Sequence, residues 1–253
     1  MITNEHLYAI ALRSCTNIGD ANFNKLLKEF GSAESVWVEK KQILKSLSGI
    51  GDKIVKDIGN ADKLKFAENE INFCQKNNIE IKLLHQDNYP ELLSNCDDPP
   101  TILYHKGQLD IKKKLISMVG TRNITSYGRE FIHDFLDQLI DKNIATVSGL
   151  AYGVDAVVHQ KSIDNNIQTI AVLAHGLQMI YPSKHQNLAK NILENNGVII
   201  SEFNSRQRPE REHFIQRNRI IAGLSPTTII VESAFGGGSM NTAHYANDYN
   251  RDV

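Results

Sequence analysis

The chain has few of the residues that staple small secreted folds or hold metals: only three cysteines, Cys15, Cys74 and Cys96, far apart and without a C-x-x-C spacing. An odd, scattered set supports neither a disulfide framework nor a zinc site, and points to a reducing cytoplasm. Long apolar runs are missing too. None approaches the roughly 20 residues of a membrane span, and the opening Met-Ile-Thr-Asn-Glu-His carries no basic segment ahead of an apolar one, so neither an anchor nor export is expected. Charge of one sign is also absent, since 28 Lys and Arg against 29 Asp and Glu leave a net charge of −1. Affinity for a polyanion must therefore come from a local patch. What is present is ordinary globular composition: 253 residues, 41% hydrophobic, enough for one good-sized core and a small extra domain.

Two organisations follow one another. From Ile10 to about Ala67 short helical stretches alternate with Gly turns, at Ile18-Gly19-Asp20, Phe30-Gly31-Ser32-Ala33 and Ser48-Gly49-Ile50-Gly51-Asp52-Lys53. The last has the pattern of a helix-hairpin-helix module, whose turn offers N–H groups to phosphate, though Gly turns serve plain helix packing equally well. Residues 62–78 read as a connecting helix, with Leu64, Ala67, Ile71 and Cys74 or Gln75 at helical spacing. Then the period changes. Residues 79–84 and 101–104 read as strands around the turns at Tyr89-Pro90 and Pro99-Pro100. Five further apolar runs, Leu115–Val119, Ile144–Val147, Thr169–Leu173, Val198–Ser201 and Thr228–Val231, alternate with helical patterns. Phe131, Phe135, Leu139 and Ile140 mark the expected buried face of the first of those helices. The expected architecture is a small all-α domain over residues 1–66, then an α/β, extended Rossmann-like, doubly wound and mostly parallel sheet over 67–253.

In such a sheet ligands sit where strand carboxyl ends meet helix N-termini, and the unusual residues fall there. The five strands end in Gly120-Thr121-Arg122, Ser148-Gly149-Leu150-Ala151-Tyr152-Gly153-Val154-Asp155, Ala174-His175-Gly176-Leu177, Ser201-Glu202-Phe203 and Glu232-Ser233-Ala234-Phe235-Gly236-Gly237-Gly238-Ser239. Glycines that let a backbone approach closely, beside helix starts that attract anions, point to phosphate. One such loop is routine turn chemistry; several on one edge are more. Arg206, Arg208, Arg211, Arg217 and Arg219 lie within 14 residues, against Glu202, Glu210 and Glu212, and Arg122 and Lys184 join them from other loops. Phe214, with Phe203 and Tyr181, offers faces for base stacking, although Phe214, Asn218 and Ile221 also share a helical face that suits a core. Arg217 and Arg219 are roughly 200° apart on an ideal helix, so only one can face the groove. The other is expected to brace a carboxylate such as Glu202 or Glu232.

The ordered motifs Met118-Val119-Gly120-Thr121-Arg122 with Tyr127-Gly128, Ser148 to Asp155 with His159, Gly176-Leu177 with Tyr181-Pro182, Ser201-Glu202-Phe203, and His213 to Ser225 resemble those of the DprA family, also called Smf. The resemblance runs from about residue 7 to the end. It implies single-stranded DNA binding without sequence preference, loading of RecA recombinase during DNA uptake and transformation, single-stranded DNA-binding protein as a further partner, a homodimer, and no membrane partner, cofactor or catalytic step. Carried over by motif, Gly120, Thr121, Arg122, Ser148, Gly149, Lys184, Phe214, Arg217, Asn218, Arg219, Gly236, Gly237, Gly238 and Ser239 form the DNA site, with Gly153, Asp155 and His159 structural. Thr121 stands where the family usually has Ser, and Gln178 where Asp is common. The family pattern continues past Arg251-Asp252-Val253, so the C-terminal end reads as premature, which bears on the dimer contacts.

The main rival is a nucleoside-monophosphate phosphoribohydrolase, whose Pro-Gly-Gly-x-Gly-Thr loop resembles Gly236 to Ser239. That chemistry needs a nearby carboxylate, and after Ser239 no acid appears before Asp248. A nucleotide-sensing domain would use the same glycine loops. A dinucleotide fold is disfavoured because Gly-Thr-Arg-Asn stands where Gly-x-Gly-x-x-Gly is required. A metal on Asp155 and His159, one helical turn apart, lacks a third ligand nearby.

Overall fold

A computed structural model describes residues 2–109, 113–234 and 236–253. The chain forms two compact units, one of residues 1–87 with 100–103 and one of residues 88–99 with 104–253. The first unit thus runs past residue 66. The reason is local packing: the helix expected to connect the domains lies along the first helix of the helical unit instead.

That unit contains α1 (Asn4–Arg13), α2 (Asp20–Phe30), α3 (Ala33–Val38), α4 (Lys41–Leu44), α5 (Asp52–Val55), α6 (Ala61–Lys76) and β1 (Glu80–Leu83). Its core is built from Ile10, Leu12, Phe23, Leu26, Val36, Leu44 and Ile58, all essentially inaccessible. Caps set the boundaries. The Ser32 hydroxyl accepts from the Ser35 N–H, and the Glu5 carboxylate accepts from the Ala33 and Glu34 N–H groups at the start of α3. The expected helix-hairpin-helix pattern appears as two four-residue helices, α4 and α5, flanking a turn in which Gly49 has φ +78°.

The second unit contains α7 (Glu91–Ser94), β2 (Ile102–Lys106, from Tyr104 on), β3 (Lys114–Gly120), α8 (Ser126–Asp137), β4 (Ile144–Ser148), α9 (Val154–Asp164), β5 (Gln168–Val172), α10 (Gln186–Glu194), β6 (Val198–Ser201), α11 (Arg211–Leu224), β7 (Thr227–Val231) and α12 (Gly238–Asp248). Its strands lie in the order β2-β6-β5-β4-β3-β7, all neighbours parallel except the antiparallel pair β2 and β6. β5 is buried along its whole length, as continuous apolar runs in a two-sided parallel sheet must be. Helix α9 packs on β3, β4 and β5 with α8 and α10 beside it; α11 crosses the same three strands, with α12 against α11, β3 and β7. The sheet is therefore covered on both sides, as the alternation of strand and helix predicts. Beside β7, Thr228 donates to the Asp252 carbonyl and Asp252 to that of Pro226.

One helical face differs from expectation. The buried series of α8 is Gly128, Ile132 and Leu136, set against Met118, Val154 and Val158, whereas Phe131 and Ile140 are largely exposed. Phe135 and Leu139 of the expected face do pack, half-buried, against this cluster, while Phe131 sits at its margin, stacked on Phe135 at 6.0 Å.

Candidate nucleic-acid interface

Four strand ends of the second unit carry the site. At the carboxyl edge of β3 and β7, the loops after Gly120 and Val231 open a cleft of about 560 Å³, walled by α11 on one side and closed by the N-terminus of α12. Gly120, Thr121 and Arg122 form one lip, Arg211, Phe214, Arg217 and Asn218 the α11 wall, and Gly236 to Ser239 the far end. Phe235 lies outside the described residues.

The cleft floor is the buried guanidinium of Arg217, with the buried carboxyl of Asp155 near enough to influence it. Arg217 is 4% exposed and donates to the carbonyl of Gly149 at 2.6 Å and to that of Val172, with its Nε on the Asn218 side-chain oxygen at 3.2 Å. Burial pulls the guanidinium down to about 10, against the attraction of the Asp155 carboxylate; it remains charged at neutral pH. Asp155, also buried, accepts from the Ala151 N–H at 3.0 Å, and burial raises its carboxyl above the usual range despite Arg217. Gly149 is required by this packing, because a Cβ there would sit 2.7 Å from the guanidinium carbon. Gly120 is equally constrained, since its Cβ would fall within 2 Å of the Val231 carbonyl oxygen.

Above that floor the surface is apolar and cationic. Phe214 is half-buried, 5.8 Å from Tyr181 ring to ring, with the Arg217 guanidinium 5.9 Å from its centroid. Phe214, Asn218 and Ile221 do share a face, and all three line the cleft, so the core and groove roles of that face are one. Arg122 and Arg211 are exposed at the rim. Asp155 is the one carboxylate among the described lining residues. At the far end, α12 is capped by Gly237 and has no acidic residue in its first turn, so the positive end of its dipole is not offset there. Asn218 ties the two walls by donating to the Gly238 carbonyl at 3.3 Å.

Several expected residues lie elsewhere. Arg219 is buried and donates to Glu202 at 2.5 Å, which also accepts from Gln216 at 3.0 Å. It is thus the brace of the two arginines, because its side of α11 turns toward β6. Ser148 is inaccessible and donates to the Met118 carbonyl, holding β4 to β3, and Gly149 is buried beneath Arg217. Lys184 is exposed on a single 3-10 turn at Ser183–His185 and does not line the cleft. Phe203 is 3% exposed with its ring 4.2 Å from that of His213, so it offers no stacking face; Tyr181, 48% exposed, does. Asp155 and His159 do not meet on a helix surface, since His159 points to the Thr169 hydroxyl at 2.7 Å inside the core. Glu232, with φ +50°, accepts from the Thr125 N–H at 2.9 Å and from its hydroxyl, capping α8. Residues not singled out as ligand contacts, Ile215, Ser233, Asn241 and Thr242, also line the cleft. Asn241 and Thr242 follow the glycines by about one helical turn, which is the signal that locates them.

Residues 80–253 match the family model described as DNA recombination-mediator protein A. Protein Smf of Synechocystis is 33% identical over all of this chain and 65% of its own length; DNA processing protein DprA of Bacillus subtilis is 38% identical over 65% of this chain and 56% of its own. The chain therefore spans somewhat over half the length of these relatives. The X-ray structure of DprA from Streptococcus pneumoniae superposes with a TM-score of 0.83 at 28% identity, over 100% of this chain and 86% of that one. A DprA structure from Helicobacter pylori, described for its single-stranded DNA binding mode, superposes with a TM-score of 0.62 at 27% identity over 68% of this chain and 78% of the other. With the match covering the whole Rossmann-like unit and the signature loop after β3 meeting the signature helix α11 at one cleft, this chain belongs to the DprA (Smf) family of DNA recombination mediators.

Proposed function

We propose that this chain binds single-stranded DNA in the cleft between α11 and the N-terminus of α12, without sequence preference and without a covalent step. The observation that carries the reading is the composition of that cleft: a half-buried Phe214 ring among Arg122, Arg211 and Arg217, with the buried Asp155 as the one carboxylate among the described lining residues. Cations take phosphates of any sequence, and a ring takes the face of any base, but only where the base is unstacked from its neighbours. A duplex hides those faces. The candidate acids of the rival hydrolase are otherwise engaged, Glu202 by Arg219 and Glu232 by Thr125. The family's description as a recombination mediator, and the DNA binding named for the Helicobacter pylori relative, support the same reading. Delivery of the bound strand to RecA by a homodimer is the further part of the proposal and rests on the motif resemblance alone.

Fluorescence anisotropy with mixed-sequence oligonucleotides tests it. Single strands should bind more tightly than the matching duplex, with log K falling against log salt at a slope of about −2 if three cations neutralise phosphates. Equal affinity for both forms, a flat salt response, or preference for a mononucleotide would overturn it.

A further inference from the structure

The cleft does not end at Arg122. The same side chain also lines a shallow hollow on the outer side of the β3–α8 loop, together with Asn123, Ile124, Arg129, Tyr152 and Gly153. No carboxylate is among its described lining residues, and both charged groups there are cations. Its backbone is braced: the Val154 N–H donates to the Thr121 carbonyl at 3.1 Å, and the Asn123 N–H to the Thr121 hydroxyl at 3.1 Å. Gly153, at φ +75°, comes so close that a Cβ would lie 2.3 Å from the Thr121 carbonyl oxygen. The two loops are therefore tied together, and Arg122 lines both cleft and hollow.

Tyr152 is the unusual member. It is 43% exposed, yet its position is fixed, because its ring meets that of His185 edge-on at 4.9 Å and His185 is bonded through Nδ1 to the Leu150 carbonyl at 2.9 Å. An exposed aromatic held from behind by a second ring keeps an open face at little entropic cost, which is what a base-stacking platform needs.

We propose that this hollow is a second nucleotide subsite, occupied by the continuation of the strand that fills the cleft: Arg122 and Arg129 hold the phosphate between the two subsites, and a base stacks on Tyr152. The inference rests on the single-strand reading above. It gives the strand a direction, out of the cleft past Arg122 and along the start of α8. The occupant is a single strand because one extended backbone connects the subsites through a shared arginine, and because cations flanking an exposed ring match phosphate and base in turn.

The test is anisotropy on a length ladder of labelled oligothymidylates with the full 253-residue chain, its Tyr152→Ala, Tyr152→Phe and Arg129→Gln variants, and Arg122→Ala as reference. Tyr152→Ala should weaken binding of the longer oligonucleotides by about five- to a hundred-fold while leaving the shortest that still bind unchanged. Tyr152→Phe should restore it, because the ring and not the hydroxyl stacks. Arg129→Gln should make the salt slope for long oligonucleotides shallower by about 0.7, one phosphate's worth, and melting curves confirm that each variant is folded. Unchanged binding of long oligonucleotides by both Tyr152→Ala and Arg129→Gln, or an equal loss at every length, overturns the second subsite while single-strand binding stands. If the unaltered chain binds no oligothymidylate of any length, both readings fall together.

Discussion

At the scale of single residues, two arginines of the site separate by burial. Arg122 is exposed at the rim; Arg217 is buried and holds the Gly149 and Val172 carbonyls in place before anything binds. Arg122→Ala should therefore cut oligonucleotide affinity several-fold with little change in melting temperature. Arg217→Ala leaves the buried carbonyls of Gly149 and Val172 without their donor and should cost about 1–3 kcal/mol of stability as well as binding. Denaturant titrations beside binding curves distinguish the two, and an Arg217→Ala protein of unchanged stability would show that the buried guanidinium is not what holds the floor. His159 makes a second prediction. Burial pushes its imidazole down to about 3, so between there and the ordinary value near 6.5 the unfolded chain binds a proton that the folded chain does not. Stability then falls as pH drops below about 6.5, with a slope that approaches about 1.4 kcal/mol per pH unit for one proton. His159→Gln should flatten that slope, which pH-dependent urea midpoints would reveal; His175, also shifted down by burial, contributes in the same direction.

At the scale of elements, the site is made by what happens at helix starts. The start of α8 is consumed internally, since the Glu232 carboxylate, held below its usual range by Thr125, already sits there. The start of α12 is not, for its first turn has no acid, two glycines lead into it and a third opens it. Gly236 needs its left-handed backbone at φ +73°, but Gly238 does not: no described atom lies within 4 Å of where its Cβ would be. Gly238→Ala should thus leave the melting temperature unchanged or slightly raised, because alanine is the better helix former, while weakening oligonucleotide binding several-fold by keeping a phosphate from the backbone N–H groups. Thermal scans and anisotropy on the same preparation check it. Unaltered binding would remove the α12 terminus from the interface.

At the scale of the whole chain, near-neutral net charge and a cationic cleft are compatible because the acids are either spent on internal partners or placed away from the cleft. Glu202, bonded to Arg219, and Glu232, bonded at the start of α8, are not among the described cleft-lining residues, where a general acid or nucleophile for a glycosidic bond would have to stand. Incubation with AMP and other nucleoside monophosphates is therefore expected to release no free base, as chromatography of the products would show. Enzyme-proportional release that vanished with Glu202→Gln or Glu232→Gln would move the chain among the nucleotide hydrolases.

Period and punctuation were enough to place every strand of the sheet within a residue or two, because a strand buried on both faces must be a short apolar run whatever its neighbours are. The Gly- and Arg-bearing loops were legible for a related reason: in a parallel sheet the connections put every strand's carboxyl end on one edge, so residues far apart in sequence are known to converge. The sequence also indicated that Arg217 and Arg219 could not share a role, from helix geometry alone. What it could not say is that both turn inward, Arg217 beneath the cleft and Arg219 onto Glu202, since that depends on how α11 is rotated against β3, β4 and β5. Nor could it separate Ser148 and Phe203, which are buried, from Thr121 and Tyr181, which are not. The meeting of Tyr152, Arg129 and Arg122 in one hollow likewise comes from loop packing, where Gly153 lies against the Thr121 carbonyl. Local chemistry determines which residues can bind phosphate or stack a base; only tertiary packing decides which of them still face solvent once the interior has taken its share.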